Sequence, residues 1–289
     1  MFHFVRRMIG RPSFGHRSVW GGIGVLLLLV FFVIWNSSAV SVDASGPIPT
    51  SGLVLLLEAD RNVASSDSVV TGWLDQSGHG NNLSATGGPQ LIPETTPSGR
   101  PAIAFHGGQD GEGDRLERVA SLNNLPDGDE DRTLFLVVNY SSSGYGGFAY
   151  GKDRCGQAFG LIVDKGGKLS VQRWCDDHRT PVRGTGEGWL VQSAVLREGR
   201  LAHYKDGALI ADEAETAFNT VLNRLVIGAE IDAKPHLDMD VAAVLIYDRA
   251  LSDAERERVE QYLQDKYLAG ASLDERPIAG DDGAASSGP

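Results

Sequence analysis

Long apolar runs along the chain predict β-strands. Residues 53–59 (LVLLLEA) and 133–140 (TLFLVVNY) are almost continuously apolar, which is typical of strands buried on both faces of a sheet. The same reasoning predicts further strands at residues 101–106, 157–163, 168–174, 189–196 and 241–247. Because no long helical pattern separates these segments, the sequence predicts an all-β sandwich.

Short polar segments between the runs predict hairpin turns. Asp206-Gly207 separates LAHYK from ALIAD, and this dipeptide is favoured in two-residue turns whose backbone needs positive φ. The segment DKGG at residues 164–167 separates two other predicted strands. The 36 glycines follow no fixed period, so they agree with many tight turns and exclude a collagen-like chain.

One amphipathic helix is predicted near the end of the domain. Ser252 and Glu255 have the spacing of a capping box, in which each side chain bonds the other residue's backbone. The apolar residues that recur on one helical face are Val259, Tyr262, Leu263 and Tyr267. Gly270 is placed to cap the C-terminus. We therefore expect a late helix that covers one open side of the sandwich.

The N-terminal segment predicts membrane insertion. Residues 1–18 contain four arginines and no acidic residue, and residues 19–40 include the apolar core VWGGIGVLLLLVFFVIW. As a helix this core spans about 25 Å, close to the roughly 30 Å of bilayer hydrocarbon. The basic residues precede it, so the N-terminus is expected in the cytoplasm and the rest outside, in the periplasm or at the cell surface. We favour a retained signal anchor over a signal peptide cleaved after Ala39 or Ala44, because the run exceeds a usual signal core.

Composition divides the exported part into three segments and limits its partners. Residues 41–51 read as a linker, 52–269 as one domain, and 270–289 as a disordered tail without aromatic residues. The whole chain carries a formal charge of −12, and without its four N-terminal arginines the remainder carries −12 − 4 = −16. So acidic a surface excludes a nucleic-acid-binding role, which requires a basic stripe.

Four segments, in order, resemble a known superfamily. They are GLVLLLEAD at 52–60, GWLDQSGHGNNLSATG at 72–87, GRPAIAFHGG at 99–108 and DVAAVLIYDRALSDAERERVEQYLQDKYL at 240–268. Together they resemble the laminin G-like branch of the concanavalin A-like lectin/glucanase superfamily, over residues 52–268. The resemblance implies an antiparallel jelly-roll β-sandwich with one C-terminal helix, preceded here by a single transmembrane helix. Because members have diverse roles, it does not by itself specify a function.

The sequence predicts a protein that is not an enzyme. Relatives that cleave β-glucans carry Glu-x-Asp-x-x-Glu on one strand, with the carboxylates facing the sugar. Here Glu230 and Asp232 are followed by Lys234-Pro235, so the second glutamate is missing and proline disfavours a strand. We expect Glu230 and Asp232 to be exposed loop carboxylates. A divergent glycan hydrolase is the weakest alternative.

The two cysteines, Cys155 and Cys175, lie on either side of the predicted DKGG turn at nearly equal distances along the chain. Positions that face each other across a hairpin have Cβ atoms about 4.5–5.5 Å apart, close to disulfide geometry. A disulfide is the favoured interpretation, since the expected compartment is oxidising. Free thiols, or a metal site that adds His178, remain alternatives.

Calcium is the one cofactor candidate. Asp110, Glu112 and Asp114 lie in GGQDGEGD, and Asp75 lies in DQSGHGNN. Calcium prefers several oxygen ligands on a flexible loop, and many relatives bind it at loop carboxylates. The alternative for Asp75 is a tight turn held by side-chain bonds to the backbone, and we favour that alternative there.

Aromatic and polar residues in two segments suggest a sugar-binding surface. Tyr145 and Tyr150 lie in SSSGYGGFAYGK, while Trp174 and His178 lie near the polar segment DDHRT. Exposed rings there would stack on a pyranose face. The alternative for Phe148 and Tyr150 is that both lie on a strand and pack inward.

These observations predict a membrane-anchored, extracytoplasmic, non-catalytic domain that binds a glycan or a protein through its loops. The alternative is an accessory structural subunit of a larger membrane complex. In that case its transmembrane helix would dock on other helices through Gly21, Gly22 and Gly24.

Overall fold

The computed structural model describes residues 47–108, 113–214, 217–234 and 236–270. The predicted membrane segment at 19–40, the first part of the linker and the tail after residue 270 lie outside these residues. Among the helices that the structure describes, none is long and apolar enough to cross a bilayer.

The described residues form strands over most of their length, as the apolar runs predict. In chain order the strands are β1 (Leu53–Glu58), β2 (Val63–Ser66), β3 (Val69–Trp73), β4 (Leu83–Thr86), β5 (Gln90–Ile92), β6 (Ala102–Phe105), β7 (Arg115–Val119), β8 (Arg132–Tyr140), β9 (Gly146–Gly151), β10 (Ala158–Val163), β11 (Lys168–Gln172), β12 (His178–Arg183), β13 (Trp189–Arg197), β14 (Arg200–Lys205), β15 (Ala208–Glu213), β16 (Arg224–Ile227) and β17 (Met239–Tyr247). All of the nine strands that the sequence predicts are present. The unpredicted ones are mostly short or rich in polar residues and glycine, so their apolar signal is weak.

The strands pair antiparallel and form two packed layers. The first layer runs β15-β14-β13-β8-β17, and β1 and β6 share the free side of β17. The second layer runs β12-β11-β10-β9-β16-β7-β4-β3. Strand β5 bonds both β3 and β6 and so joins the layers at one side. The result is a nearly closed β-sandwich.

The two predicted turns have the conformations that their residues favour. The β14–β15 hairpin places Asp206 and Gly207 at φ +52° and +84°, which matches the turn expected for Asp-Gly. In the β10–β11 turn, the Asp164 carboxylate accepts hydrogen bonds from the backbone N–H of Gly166 and of Lys168. This turn positions Lys165 at the end of the second layer, close to the site described below.

The main core lies between the layers, and a second cluster explains the continuously apolar strands of the first layer. On β8, Leu134, Leu136 and Val138 face the main core, whereas Phe135 and Val137 face outward. The outward side chains are buried by the helix α1 (Asp253–Leu263), through Val259, Leu263 and the following Tyr267. A strand buried on both faces needs apolar residues at every position, which is the pattern read from the sequence.

The helix begins as predicted and ends differently. The capping box of Ser252 and Glu255 is present, with both reciprocal hydrogen bonds. The prediction that Gly270 caps the C-terminus is wrong, because the helix continues into a π-helical turn, Gln264–Leu268. Ala269 N–H donates to the Gln264 carbonyl, and Ala269 is extended. This bond pairs the carbonyl of Gln264 in the last turn, so the helix ends without a residue in the left-handed conformation.

Candidate functional site

The outer face of the second layer carries a floor of small side chains. Alternation along β10 turns Phe159, Leu161 and Val163 into the core, so Ala158, Gly160 and Ile162 face out. Outward Ala149 and Val226 on the neighbouring strands form a cluster with Ala158, and this cluster is covered by Ile231 and by the half-buried Trp174. The side chains around this floor form the candidate site. We call Tyr145, Lys165, Ser170, Gln172, Trp174, Arg179 and Glu230 the outer-face site.

Two polar side chains of β11 lie within this site and are fully buried. Ser170 and Gln172 alternate with inward Leu169 and Val171, so they point to the outer face. The Ser170 Oγ and the Gln172 Oε1 have no hydrogen-bond partner among the described residues. Buried polar atoms of folded proteins are nearly always paired, and each orphan needs an explanation.

Glu230 closes the site from the loop that follows β16. Its Oε1 accepts a 3.0 Å hydrogen bond from the Gln172 side-chain amide. Burial raises the pKa of the Glu230 carboxyl to about 8, and the nearby negative charges of Asp232 and Asp177 act in the same direction. The expectation that Glu230 is an exposed loop carboxylate is therefore wrong, whereas Asp232 is exposed. A protonated Glu230 would offer a hydrogen-bond donor at neutral pH.

Tyr145 lies between two cationic side chains. The Lys165 Nζ is 5.3 Å and the Arg179 Cζ is 5.6 Å from the centre of the ring. The Arg179 guanidinium also donates a 3.1 Å hydrogen bond to the Tyr145 hydroxyl. Arg179 pairs in register with Ser170 across β11 and β12, so the arginine that bonds Tyr145 lies on the strand next to the buried polar residues.

The loop that carries Trp174 is held in a strained conformation. Trp174 and Cys175 are both left-handed, with φ of +62° and +73°, which costs non-glycine residues of order 1–2 kcal/mol each. The disulfide between Cys155 and Cys175 anchors the loop, which confirms the favoured interpretation of the two cysteines. The Asp177 carboxylate accepts hydrogen bonds from the backbone N–H of Arg173 and of Trp174. These contacts hold the backbone of the loop, and the indole packs against the small side chains of the floor.

Of the four sugar-binding candidates, Tyr145 and Trp174 lie on the outer face, whereas the buried Tyr150 and the half-buried His178 face the opposite side of their strands. Tyr150 is fully buried, and its hydroxyl accepts a hydrogen bond from the buried Arg132 guanidinium, so the inward alternative holds for it and for Phe148. The His178 ring packs near Phe218, and its Nδ1 bonds Glu213. Neither Tyr150 nor His178 can stack on a ligand at the outer face.

Two of the four calcium candidates, Asp75 and Asp114, lie among the described residues, and both accept hydrogen bonds from the backbone. Both oxygens of Asp75 accept hydrogen bonds from the chain, from the backbone N–H of Leu56, Ser77 and Asn81 and from the Ser77 hydroxyl. This is the turn that we favoured for Asp75. Asp114 is buried and accepts hydrogen bonds from the backbone N–H of His106 and of Gly88. Asp110 and Glu112 lie outside the described residues.

Sequence reasoning missed most of the polar members of the site. Lys165, Ser170, Gln172 and Arg179 come from a turn and two adjacent strands, and only register brings them together. One available signal was the alternation in KLSVQRW, where polar residues occupy every second position of a strand. The sequence does not reveal which of the two faces of a sandwich those residues occupy.

Comparisons with known proteins support the fold alone. No family model matches the chain, and no curated protein matches it. Solved structures do match, and these include receptor-binding domains of botulinum neurotoxins and a sialidase. The binding domain of botulinum neurotoxin DC, in complex with rat synaptotagmin II, is 15% identical with a TM-score of 0.53, over 75% of this chain and 53% of the other.

Two further solved structures match this chain at a comparable identity and TM-score. A structure of botulinum neurotoxin type C, whose uptake into cells depends on interaction with two ganglioside molecules, is 14% identical with a TM-score of 0.54, over 74% of this chain and 52% of the other. The Trypanosoma rangeli sialidase is 18% identical with a TM-score of 0.52, over 76% of this chain and 34% of the other. The chain thus spans about half or less of these proteins. The similarity identifies a lectin-like β-sandwich.

Proposed function

We propose that this chain is a membrane-anchored, extracytoplasmic, non-catalytic domain that binds a saccharide at the outer-face site. The fold that we assign within the lectin-like sandwiches is the concanavalin A-like, laminin G-like jelly roll. The observation that carries the proposal is the pair of unpartnered buried atoms, Ser170 Oγ and Gln172 Oε1, on a face of the sheet that also carries the rings of Tyr145 and Trp174.

Saccharides suit this arrangement for two physical reasons. The apolar face of a pyranose ring packs against an aromatic ring, and Tyr145 and Trp174 are both half-exposed and held in place. The hydroxyls of the sugar act as donors and acceptors, which the buried atoms of Ser170 and Gln172 require. A sugar hydroxyl that reaches beneath Glu230 would satisfy acceptors that the protein leaves unpaired.

The comparisons support a binding role by analogy. The neighbouring toxin structures include one in complex with rat synaptotagmin II and one of a toxin whose cell entry depends on interaction with two ganglioside molecules. Because the identities are 15% and 14%, their ligands cannot be transferred to this chain.

The experiment is a glycan-array screen with the full chain in mild detergent, followed by calorimetry on the bound glycans. Tyr145→Ala and Trp174→Ala should each weaken binding about two- to tenfold, because each removes an aromatic packing contact of about 0.5–1.5 kcal/mol. The matched control is Leu209→Ala, an exposed apolar residue on β15 of the other layer. If the aromatic variants and the control bind equally, the outer face is not the site.

Anchoring is tested separately on native membranes. A retained helix at residues 19–40 should leave the protein in the membrane pellet after alkaline carbonate extraction, with an intact N-terminus. Release into the supernatant with a new N-terminus after Ala39 or Ala44 would contradict the anchor and support a cleaved signal peptide.

A further inference from the structure

We infer that the ligand of the outer-face site is an anionic saccharide, whose carboxylate or sulfate is bound by Lys165 and Arg179 while its ring packs on Tyr145. This inference deepens the proposed function and rests on it. It starts from the two cations that flank the tyrosine ring, at 5.3 Å and 5.6 Å from its centre.

The acidic composition of the chain makes this pair of cations informative. Asp plus Glu outnumber Lys plus Arg by 38 to 26, so acidic partners are abundant. Some arginines elsewhere use them, as the exposed Arg200 does with Asp212 and the half-buried Arg249 does with Glu255. Within the part of the chain that the structure describes, neither Lys165 nor Arg179 has an acidic group within 4.0 Å, and both keep their charge available to a ligand.

The same edge of the second layer carries two more cations. Alternation places Lys168 on the outer face of β11, and it pairs in register with Arg183 on β12. Arg183 has a carboxylate partner, Glu187, only at 4.0 Å, and both of these side chains are partly exposed. Four cationic side chains, Lys165, Lys168, Arg179 and Arg183, thus lie along β11, β12 and the turn before β11, where they would attract an anion.

The carboxyl group inside the site does not oppose an anion at neutral pH. Because burial raises the pKa of Glu230 to about 8, its carboxyl is mostly neutral at pH 7. A neutral carboxyl donates a hydrogen bond to a ligand oxygen, whereas an ionised one would repel it. A neutral Glu230 is compatible with an anionic ligand, which the positions of Lys165 and Arg179 favour, and the charges of Asp177 and Asp232 near this carboxyl act against one.

The test is an array of neutral, uronic-acid, sialylated and sulfated oligosaccharides probed with the full chain in mild detergent. We expect the bound glycans to be anionic. Each is then compared by calorimetry with its neutral counterpart, the methyl ester of a carboxylated glycan or the desulfated form of a sulfated one. Neutralisation should weaken binding at least about tenfold, as expected for loss of charge-assisted hydrogen bonds. If the carboxylated glycans bind more tightly than the sulfated ones, the recognised anion is a carboxylate. The opposite order identifies a sulfate.

Matched variants separate a specific contact from general charge. The double variant Lys165→Gln/Arg179→Gln should reduce the affinity for the anionic glycan to that for its neutral counterpart. The control is Arg61→Gln/Arg200→Gln, which changes the net charge equally at side chains that are 64% and 60% exposed and lie outside the site. Equal losses in both double variants would overturn the inference.

The outcomes also distinguish this inference from the proposed function. Tight binding of neutral glycans that depends on Tyr145 and Trp174 would overturn the anionic ligand and leave the saccharide-binding function standing. If no glycan of any class binds to the full chain, both are overturned.

Discussion

The side-chain amide of Gln172 donates a 3.0 Å hydrogen bond to the carboxyl Oε1 of Glu230. This bond joins strand β11 to the loop after β16, across the outer face of the second layer. It uses the amide hydrogen of Gln172 and leaves the Oε1 of the same residue without a partner among the described residues. One buried contact thus both closes the site and leaves an acceptor within it.

Glu230 should make the stability of the protein sensitive to alkaline pH. Its pKa is raised to about 8 in the fold from an ordinary value of 4.5, so the folded state holds a proton that the unfolded state releases. This contribution is complete below about pH 4.5 and is lost as the pH rises through about 8. The isosteric variant Glu230→Gln should therefore have a melting temperature a few degrees above that of wild type at pH 9, since each kcal/mol of unfolding free energy shifts it by about 2–4 °C. At pH 4 the two proteins should melt at nearly the same temperature. Thermal melts across this range provide the measurement, with Glu198→Gln as an exposed control.

His203 should act in the opposite pH range. Burial, and to a smaller degree the charge of His178, lowers the pKa of His203 to about 3 from an ordinary value of 6.5. Since the unfolded state binds the proton first, stability should fall as the pH decreases from about 6.5 towards 3, at up to about 1.4 kcal/mol per pH unit for one proton. Urea unfolding at pH 7, 6, 5 and 4 measures this slope. The variant His203→Gln can still accept the 3.0 Å hydrogen bond from Gln192. It should reduce the dependence of the unfolding free energy on pH, whereas the control variant His79→Gln should not. An unchanged slope would show that another group governs acid unfolding.

Arg132 should be among the residues most important for stability. The guanidinium is fully buried and donates to the Tyr150 and Thr220 hydroxyls and to several backbone carbonyls, including those of Asp127 and Glu130. Arg132→Met leaves these acceptors unpaired and should cost about 3 kcal/mol or more. Tyr150→Phe removes one of the bonds and should cost only about 1 kcal/mol. Chemical unfolding measures both, and saccharide affinity should not change in the tyrosine variant. A loss of affinity there would place Tyr150 in the site after all.

The disulfide should stabilise the loop of Trp174 as well as the whole domain. Cys155 and Cys175 are 20 residues apart, and closing a loop of this length contributes roughly 3 kcal/mol on a chain-entropy model. The double variant Cys155→Ser/Cys175→Ser should lose about this much in urea unfolding. Its indole fluorescence should also report a more exposed Trp174, because the left-handed residues of the loop lose their anchor. Retention of full stability under reducing conditions would contradict this role.

Asp75 should contribute to stability without calcium. Its carboxylate accepts hydrogen bonds from three backbone N–H groups and one hydroxyl, of Leu56, Ser77 and Asn81. Asp75→Ala should therefore lower the stability by about 2 kcal/mol, with the same result in EDTA and in calcium. A destabilisation seen only when calcium is present would instead identify Asp75 as a ligand.

The sequence by itself determined nine of the strands that the structure describes, the start of the helix and the disulfide, because each has a local or near-local signal. A strand buried on both faces requires an unbroken apolar run, Asp206-Gly207 favours a positive-φ turn, and Ser252 with Glu255 forms a cap within one turn of helix. Cys155 and Cys175 could be paired because they lie on either side of one hairpin.

Only the tertiary structure decided which side chains share the outer face. Tyr145, Trp174, Gln172 and Glu230 come from separate loops and strands, and their proximity depends on the register of β9 to β12 and on the path of the loop after β16. Alternation shows that two residues of a strand point the same way, but it does not show whether that way is inward or outward. For Tyr150 it was inward and for Gln172 outward, since the face that becomes the core depends on what packs against the whole layer. The environment that raises the pKa of Glu230 has the same origin, because burial is a property of the packed layers and not of the local sequence.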